Sequence, residues 1–235
     1  MPIRLLLSLI TLITISTELY SQSVIIPRFG VTVSRTNASN LEGIEQVSKA
    51  GISLGAAVEF KLTTTVAIQP ELNYTQKGFG FNAQETDQGF FINVENKTRV
   101  DYLEVPLFAK IYLGAGSKVY FLAGPSIAVG IGGQSKSKVE TDLFGTPLSI
   151  TVKGKVKFGD PPATYNPEED TEVYFDNRLD FGIQGGLGIS LYRQAAVEFR
   201  YNYGLSGLQD EEDSQNRVLH INIAVPLNTF VKSKE

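Results

Sequence analysis

The chain contains no cysteine, no tryptophan and a single histidine in 235 residues. Without cysteine there is no disulfide, no thiolate metal site and no cysteine nucleophile. Excess positive charge is also missing: 21 basic against 25 acidic residues give a net charge of −4. That sum argues against a phosphate-binding surface and removes nucleic acid as a partner. No G-x-S-x-G motif is present, and "VGIGG" at 129–133 has no following helix of the kind a dinucleotide fingerprint needs. The acidic stretches "LQDEEDSQN" at 208–216 and "PEED" at 167–170 lack calcium-loop spacing and read as solvated loops. No metal and no cofactor is expected. Beyond the N-terminus, no apolar run reaches the roughly 18 residues of a membrane-spanning helix.

The N-terminus itself is distinctive. Arg4 precedes the apolar run "LLLSLITLITIS" at 5–16, followed by Glu18, Tyr20 and Ser21. A basic start, an apolar run and a small residue before a polar one describe a secretory signal. Cleavage is expected after Ser21, leaving one domain over residues 22–235.

After residue 22 the dominant period is two. Eight segments show it, at about 24–34, 50–61, 65–79, 99–113, 118–132, 178–191, 195–204 and 217–227. Most exceed the usual five or six residues of a soluble strand and suit tilted strands crossing a bilayer. The connections alternate in length. "LTTT", "GAGS" and "YRQ" are hairpin-sized, and the others run from about a dozen to about 45 residues. Short turns on one rim and long loops on the other are the habit of outer-membrane barrels. "LSITVKGKVKF" at 148–158 also alternates, and reads as a hairpin extension above the membrane.

Each segment has two faces. In "IQPELNYTQKGFG" at 68–80, Ile68, Leu72 and Tyr74 fall on one side, and Gln69, Glu71, Asn73, Thr75 and Lys77 on the other. Across the eight segments one face is almost free of charge. The other carries Arg28, Glu59, Lys61, Glu71, Lys77, Glu104, Lys110, Asp180, Glu198 and Arg200, five of each sign. A soluble lipocalin-like barrel would put the charged face in water, and a membrane barrel would enclose it. Two features favour enclosure. Small residues crowd the charged face, as a narrow interior requires, and the charges balance, as a buried set must. The expected fold is an all-β, eight-stranded antiparallel up-and-down transmembrane β-barrel. Its interior polar network comprises Arg28, Glu59, Glu71, Glu104, Lys110, Asp180, Glu198, Arg200 and His220. Such an interior leaves no general diffusion pore. Tyr74, Phe79, Tyr112, Tyr192, Tyr201 and Tyr203 lie toward strand ends and are expected to form the interfacial girdle.

The pattern "IQPELNYTQKGFG" resembles PorT-like outer-membrane β-barrel proteins. So do "DYLEVPLFAKIYL" at 101–113, "VYFLAGPSIAVGI" at 119–131, "LDFGIQGGLGISL" at 179–191, "FRYNYGLSGL" at 199–208 and "NRVLHINIAVPL" at 216–227, in the same order. The resemblance implies an eight-stranded barrel in the outer membrane of a Gram-negative cell. It also implies a structural or interaction role in the envelope, linked in the family's namesake to protein secretion and gliding. The expected partners are outer-membrane lipid, the barrel-assembly machinery, and envelope or secretion-system proteins met through extracellular loops. Such barrels often end on an aromatic residue, whereas here Phe230 is followed by "VKSKE".

An enzymatic alternative rests on His220. With Asp180 or Glu104 as carboxylate and Ser206 or Ser126 as nucleophile, it would serve lipid hydrolysis or acyl transfer. The simpler assignment keeps His220 in the interior hydrogen-bond network, and the protein non-enzymatic.

Overall fold

The computed structural model describes residues 23–36, 44–87, 90–143, 146–166, 169–191, 195–208 and 214–227. Ten strands lie among them: β1 (Ser23–Thr36), β2 (Ile44–Lys61), β3 (Val66–Asp87), β4 (Phe90–Tyr112) and β5 (Val119–Leu143), then β6 (Thr146–Phe158), β7 (Val173–Phe175), β8 (Leu179–Ser190), β9 (Ala196–Gly207) and β10 (Gln215–Ala224). All pair antiparallel except the short β6–β7 contact. The pairings run β4-β3-β2-β1-β10-β9-β8-β5 and return from β5 to β4. β6 and β7 stand outside that circuit, attached to the far end of β5.

Two tight turns close one rim. In the first, Thr63 Oγ1 accepts from the Thr65 and Val66 amides. In the second, Gly114 and Gly116 sit at φ 118° and 75°, where an L side chain is strained. Alternation decides which face is enclosed. Leu72 is 53% exposed and its neighbour Glu71 4%. The same contrast repeats on β1, β4, β9 and β10, where Phe29, Leu103, Phe199 and Leu219 face out and Arg28, Glu104, Arg200 and His220 face in. A soluble barrel with an apolar cavity is thereby excluded.

The expectation of eight strands needs correction. β3, β4 and β5 reach 22, 23 and 25 residues, well beyond the lengths read from the sequence. Their far halves, with β6, form a sheet that projects past the rim (the wing). The physical reason is an inversion of polarity. Toward the short turns, the outward face is apolar and the inward face polar. Past Val100, the outward positions become Arg99, Lys97 and Glu95, and on β3 the inward ones become Phe79 and Phe81. A search for apolar-outward strands stops where this happens. The loop expected between the third and fourth strands is therefore strand on both sides of residues 88–89, and "LSITVKGKVKF" lies within β6. "VGIGG" does not end β5. It carries a bulge opposite Asp101 and Tyr102, with Gly132 at φ 153°. The barrel wall becomes wing at this bulge.

Phe79 and Tyr112 also leave the expected girdle. They share the parity of Lys77 and Lys110 and turn inward: Phe79 meets Phe175 at 6.2 Å, and the Tyr112 hydroxyl donates to Glu59. Tyr201 and Tyr203 stay outward. The expected signal at 1–21, Tyr192, the middle of the acidic stretch at 209–213, Pro167 and Glu168, and Phe230 lie outside the described residues.

Gly188 on β8 lies against the Tyr120 ring, and a Cβ there would fall 2.2 Å from a ring carbon. Gly188→Val is expected to displace that ring and cost about 1–3 kcal/mol. Urea unfolding in detergent, followed by gel mobility, measures the loss.

Candidate functional site

Strand alternation aims one residue in two into a narrow space, so polar side chains from different strands must meet there. They do so in three tiers. Nearest the short turns, Lys110 Nζ donates to Glu59 at 2.7 Å and to Gln69 at 3.2 Å. Tyr112 donates its hydroxyl to the same Glu59 at 2.9 Å, and Lys110 sits 3.9 Å from the centre of the Tyr120 ring.

The middle tier joins four charges. Glu71 accepts from Arg28 at 2.5 Å and from both terminal nitrogens of Arg200 at 2.8 Å. Gln69 and Asn73, on its own strand, donate to it at 2.6 and 2.9 Å. Glu198 accepts from Arg28 and, at 2.5 Å, from the Tyr120 hydroxyl, and it forms an ion pair with Arg200 at 2.6 Å. Phe108 stacks on the Arg200 guanidinium at 4.4 Å. Arginine suits this place because its planar fork can serve two carboxylates at once.

In the third tier Lys77 bridges Glu104 at 2.7 Å and Asp180 at 3.1 Å. Thr75 and Asn202 add donors to Glu104, and Asn216 and Ser206 to Asp180.

Apolar side chains cluster at two levels of the interior. Ile26, Ala57, Phe108, Tyr120, Leu122, Ala196 and Ala224 lie toward the short turns. Val100, Tyr102, Ala128, Val156, Phe175 and Leu208 cap the other end. A cavity of about 400 Å³ opens at the short-turn mouth, lined by Ile26, Tyr120, Ala196 and Ala224 of the first cluster and by Glu59, Lys110 and Glu198 of the network.

All nine residues expected in the network are buried. Lys77 joins them, and Lys61 does not: it stands exposed on the mouth cavity. Five carboxylates therefore face four cations, and the expected five-to-five balance is off by one. Tyr112, Tyr120, Gln69 and Asn216 belong to the network as well. Their parity matches Lys110, Glu71 and the other inward groups, and that was the available signal.

His220 lies between Thr32 and Arg200 in the sheet, and its Nε2 has no hydrogen-bond partner among the described residues. Ser206 accepts from the Phe181 amide and donates to Asp180. This pairing orients a hydroxyl as a structural donor and does not activate it for attack.

Removing one carboxylate from the middle tier strands two guanidinium groups. Glu71→Gln should cost about 3–5 kcal/mol. Glu95→Gln, on the solvated wing, should change stability by no more than about 0.5 kcal/mol. Parallel urea titrations of both variants in phospholipid vesicles test the contrast.

A family model described as "Outer membrane protein beta-barrel domain" matches residues 20–210. No curated protein sequence matches the chain. Among solved structures, Ail, the attachment invasion locus protein of Yersinia pestis, aligns at 12% identity and TM-score 0.40, over 87% of this chain and 97% of that one. CarO of Acinetobacter baumannii aligns at 9% identity and TM-score 0.40, over 84% and 96%. Neisserial surface protein A aligns at 10% identity and TM-score 0.34, over 87% and 98%.

Proposed function

The chain belongs to the outer membrane protein beta-barrel domain family, and from that premise we propose a non-enzymatic envelope protein that acts through its wing. It resides in the outer membrane. In this reading the circuit of β1 to β5 and β8 to β10 spans the bilayer as an eight-stranded up-and-down barrel. The short turns face the periplasm, and the wing stands outside the cell.

One observation carries the reading. Among the described residues the interior holds nine charged side chains, all buried and all in ion pairs, interleaved with two apolar clusters. An eight-stranded interior is only wide enough for side chains to fill. A barrel packed in this way supports structure rather than conduction. What remains for recognition is outside: the paired extensions of β3, β4, β5 and β6. An insertion machinery for barrels is the partner during assembly, and envelope or secretion-system proteins are the partners afterwards. The PorT-like motifs support a role in secretion or gliding.

Two measurements test this. Purified protein in a planar bilayer should show no steady conductance, and a stable open channel would contradict the sealed interior. Replacing residues 82–95 and 138–151 by two-residue turns should preserve the heat-dependent gel shift of a folded barrel. The same change should abolish cross-linking to envelope proteins in cells. Undiminished cross-linking would move the interaction away from the wing.

A further inference from the structure

Where β4, β5 and β6 leave the barrel, their outward face turns basic. The register sets Lys97, Lys136 and Lys153 side by side across three strands. One row nearer the barrel it sets Arg99, Gln134 and Lys155 side by side. Like charges directly opposite one another destabilise a sheet, so a row of three lysines needs counter-charge.

Part of it comes from the chain itself. Lys97 pairs with Glu95 on its own strand, Arg99 with Asp101 at 3.2 Å, and Lys138 with Glu140 at 2.6 Å. The Lys97 ammonium, hydrogen-bonded to Glu95, holds that carboxyl below its ordinary range, so this pair is internally neutralised. Lys136, Lys153 and Lys155 are exposed and form no salt bridge among the described residues, though Lys136 is within electrostatic reach of Glu95. Three lysines without a salt bridge stand on one face, where Glu95 is already paired with Lys97. The whole-chain charge of −4 conceals them.

Position supplies the second argument. Leu103, 43% exposed, is on the outward apolar face of β4, and Arg99 follows four residues farther along. Four residues span about 13 Å of strand, or about 10 Å of height at the usual barrel tilt. The lysine rows therefore stand just above the apolar band, continuous with it, where long flexible side chains reach back to a headgroup layer.

We propose that Lys136, Lys153 and Lys155 form a binding strip for phosphate groups carried by lipids of the outer leaflet. A lysine ammonium recognises phosphate as a point charge, without requiring one fixed geometry, and this suits a mobile headgroup. Bound phosphates would relieve the repulsion within the lysine row and hold the wing against the membrane surface. The inference rests on the reading of the eight-strand circuit as the membrane span.

The full chain, folded in a neutral detergent, is titrated with lipid A carrying both phosphates, with enzymatically dephosphorylated lipid A, and with inorganic phosphate. Lipid retained on the immobilised protein is measured. The triple variant Lys136→Gln/Lys153→Gln/Lys155→Gln should bind phosphorylated lipid A at least about tenfold more weakly, and wild type should bind the dephosphorylated lipid no better than that. Millimolar inorganic phosphate should not compete. Lys61 and Lys118 both line the cavity at the opposite mouth, and the control variant Lys61→Gln/Lys118→Gln should match wild type. Equal binding by the triple variant, equal binding of dephosphorylated lipid, or displacement by free phosphate overturns the proposal. The gel shift of each unliganded variant is recorded separately. Its loss in wild type would count against the barrel reading, not against the strip.

Discussion

Glu71 stands near the middle of the barrel and is almost wholly withdrawn from solvent. Two arginines, a glutamine and an asparagine donate to it. A carboxylate in such a place must be neutralised and hydrogen-bonded, or the chain does not hold it there. That requirement reaches outward to the rest of the fold. Arg28 and Arg200 come from β1 and β9, on either side of β10, so the ion pairs link strands far apart in sequence. Glu198 then serves both guanidinium groups, and Tyr120 serves Glu198. The glycines of β8 keep the wall thin where these long side chains lie. Gly186 meets the Arg200 backbone and side chain, and Gly188 meets Tyr120. At the far end the cluster of Val100, Tyr102 and Phe175 screens the ion pairs, while Glu59, Lys110 and Glu198 border the short-turn cavity. A water-excluded interior raises both the strength of each contact and the cost of each missing one.

Beyond the β5 bulge the same strands follow the opposite rule. With water on the outer face, β4 and β5 turn Arg99, Lys97, Lys136 and Lys138 outward. With no charged network to face, Phe79 and Phe81 on β3 turn inward. The change occurs at the β5 bulge around Gly132, where one extra residue resets the register against Asp101 and Tyr102. A strand can therefore continue unbroken while its pattern reverses.

This reversal sets how much was legible in advance. Within the membrane-facing circuit, period two and the placement of Glu71, Glu104, Lys110, Arg28 and Arg200 were enough to assign the two faces. The pairing of particular charges was not legible. Whether Arg200 meets Glu71 or Glu104 depends on the stagger between strands, which no single strand encodes. Lys61 shows the limit of parity: it points to the interior side, but two residues past Glu59 the wall ends and the side chain reaches the mouth. Phe79 and Tyr112 were placed by nearness to strand ends. The parity of Lys77 and Lys110 would have placed them inside. The wing was missed because its pattern, taken with lipid-facing expectations, reads as loop. Only its β6 was legible, as an alternating hairpin extension beyond the barrel.

The central claim is that the charged face is enclosed and dry while the apolar face meets lipid. Because the chain has no cysteine, single cysteines introduced along β4 carry one spin label each. In vesicles, labels at positions 103, 105 and 107 should be accessible to oxygen and shielded from a water-soluble nickel complex. Labels at 102 and 108 should be inaccessible to both. The opposite pattern, with 102 and 108 open to the nickel complex and 103, 105 and 107 immobilised, would contradict the account and return the charged face to water.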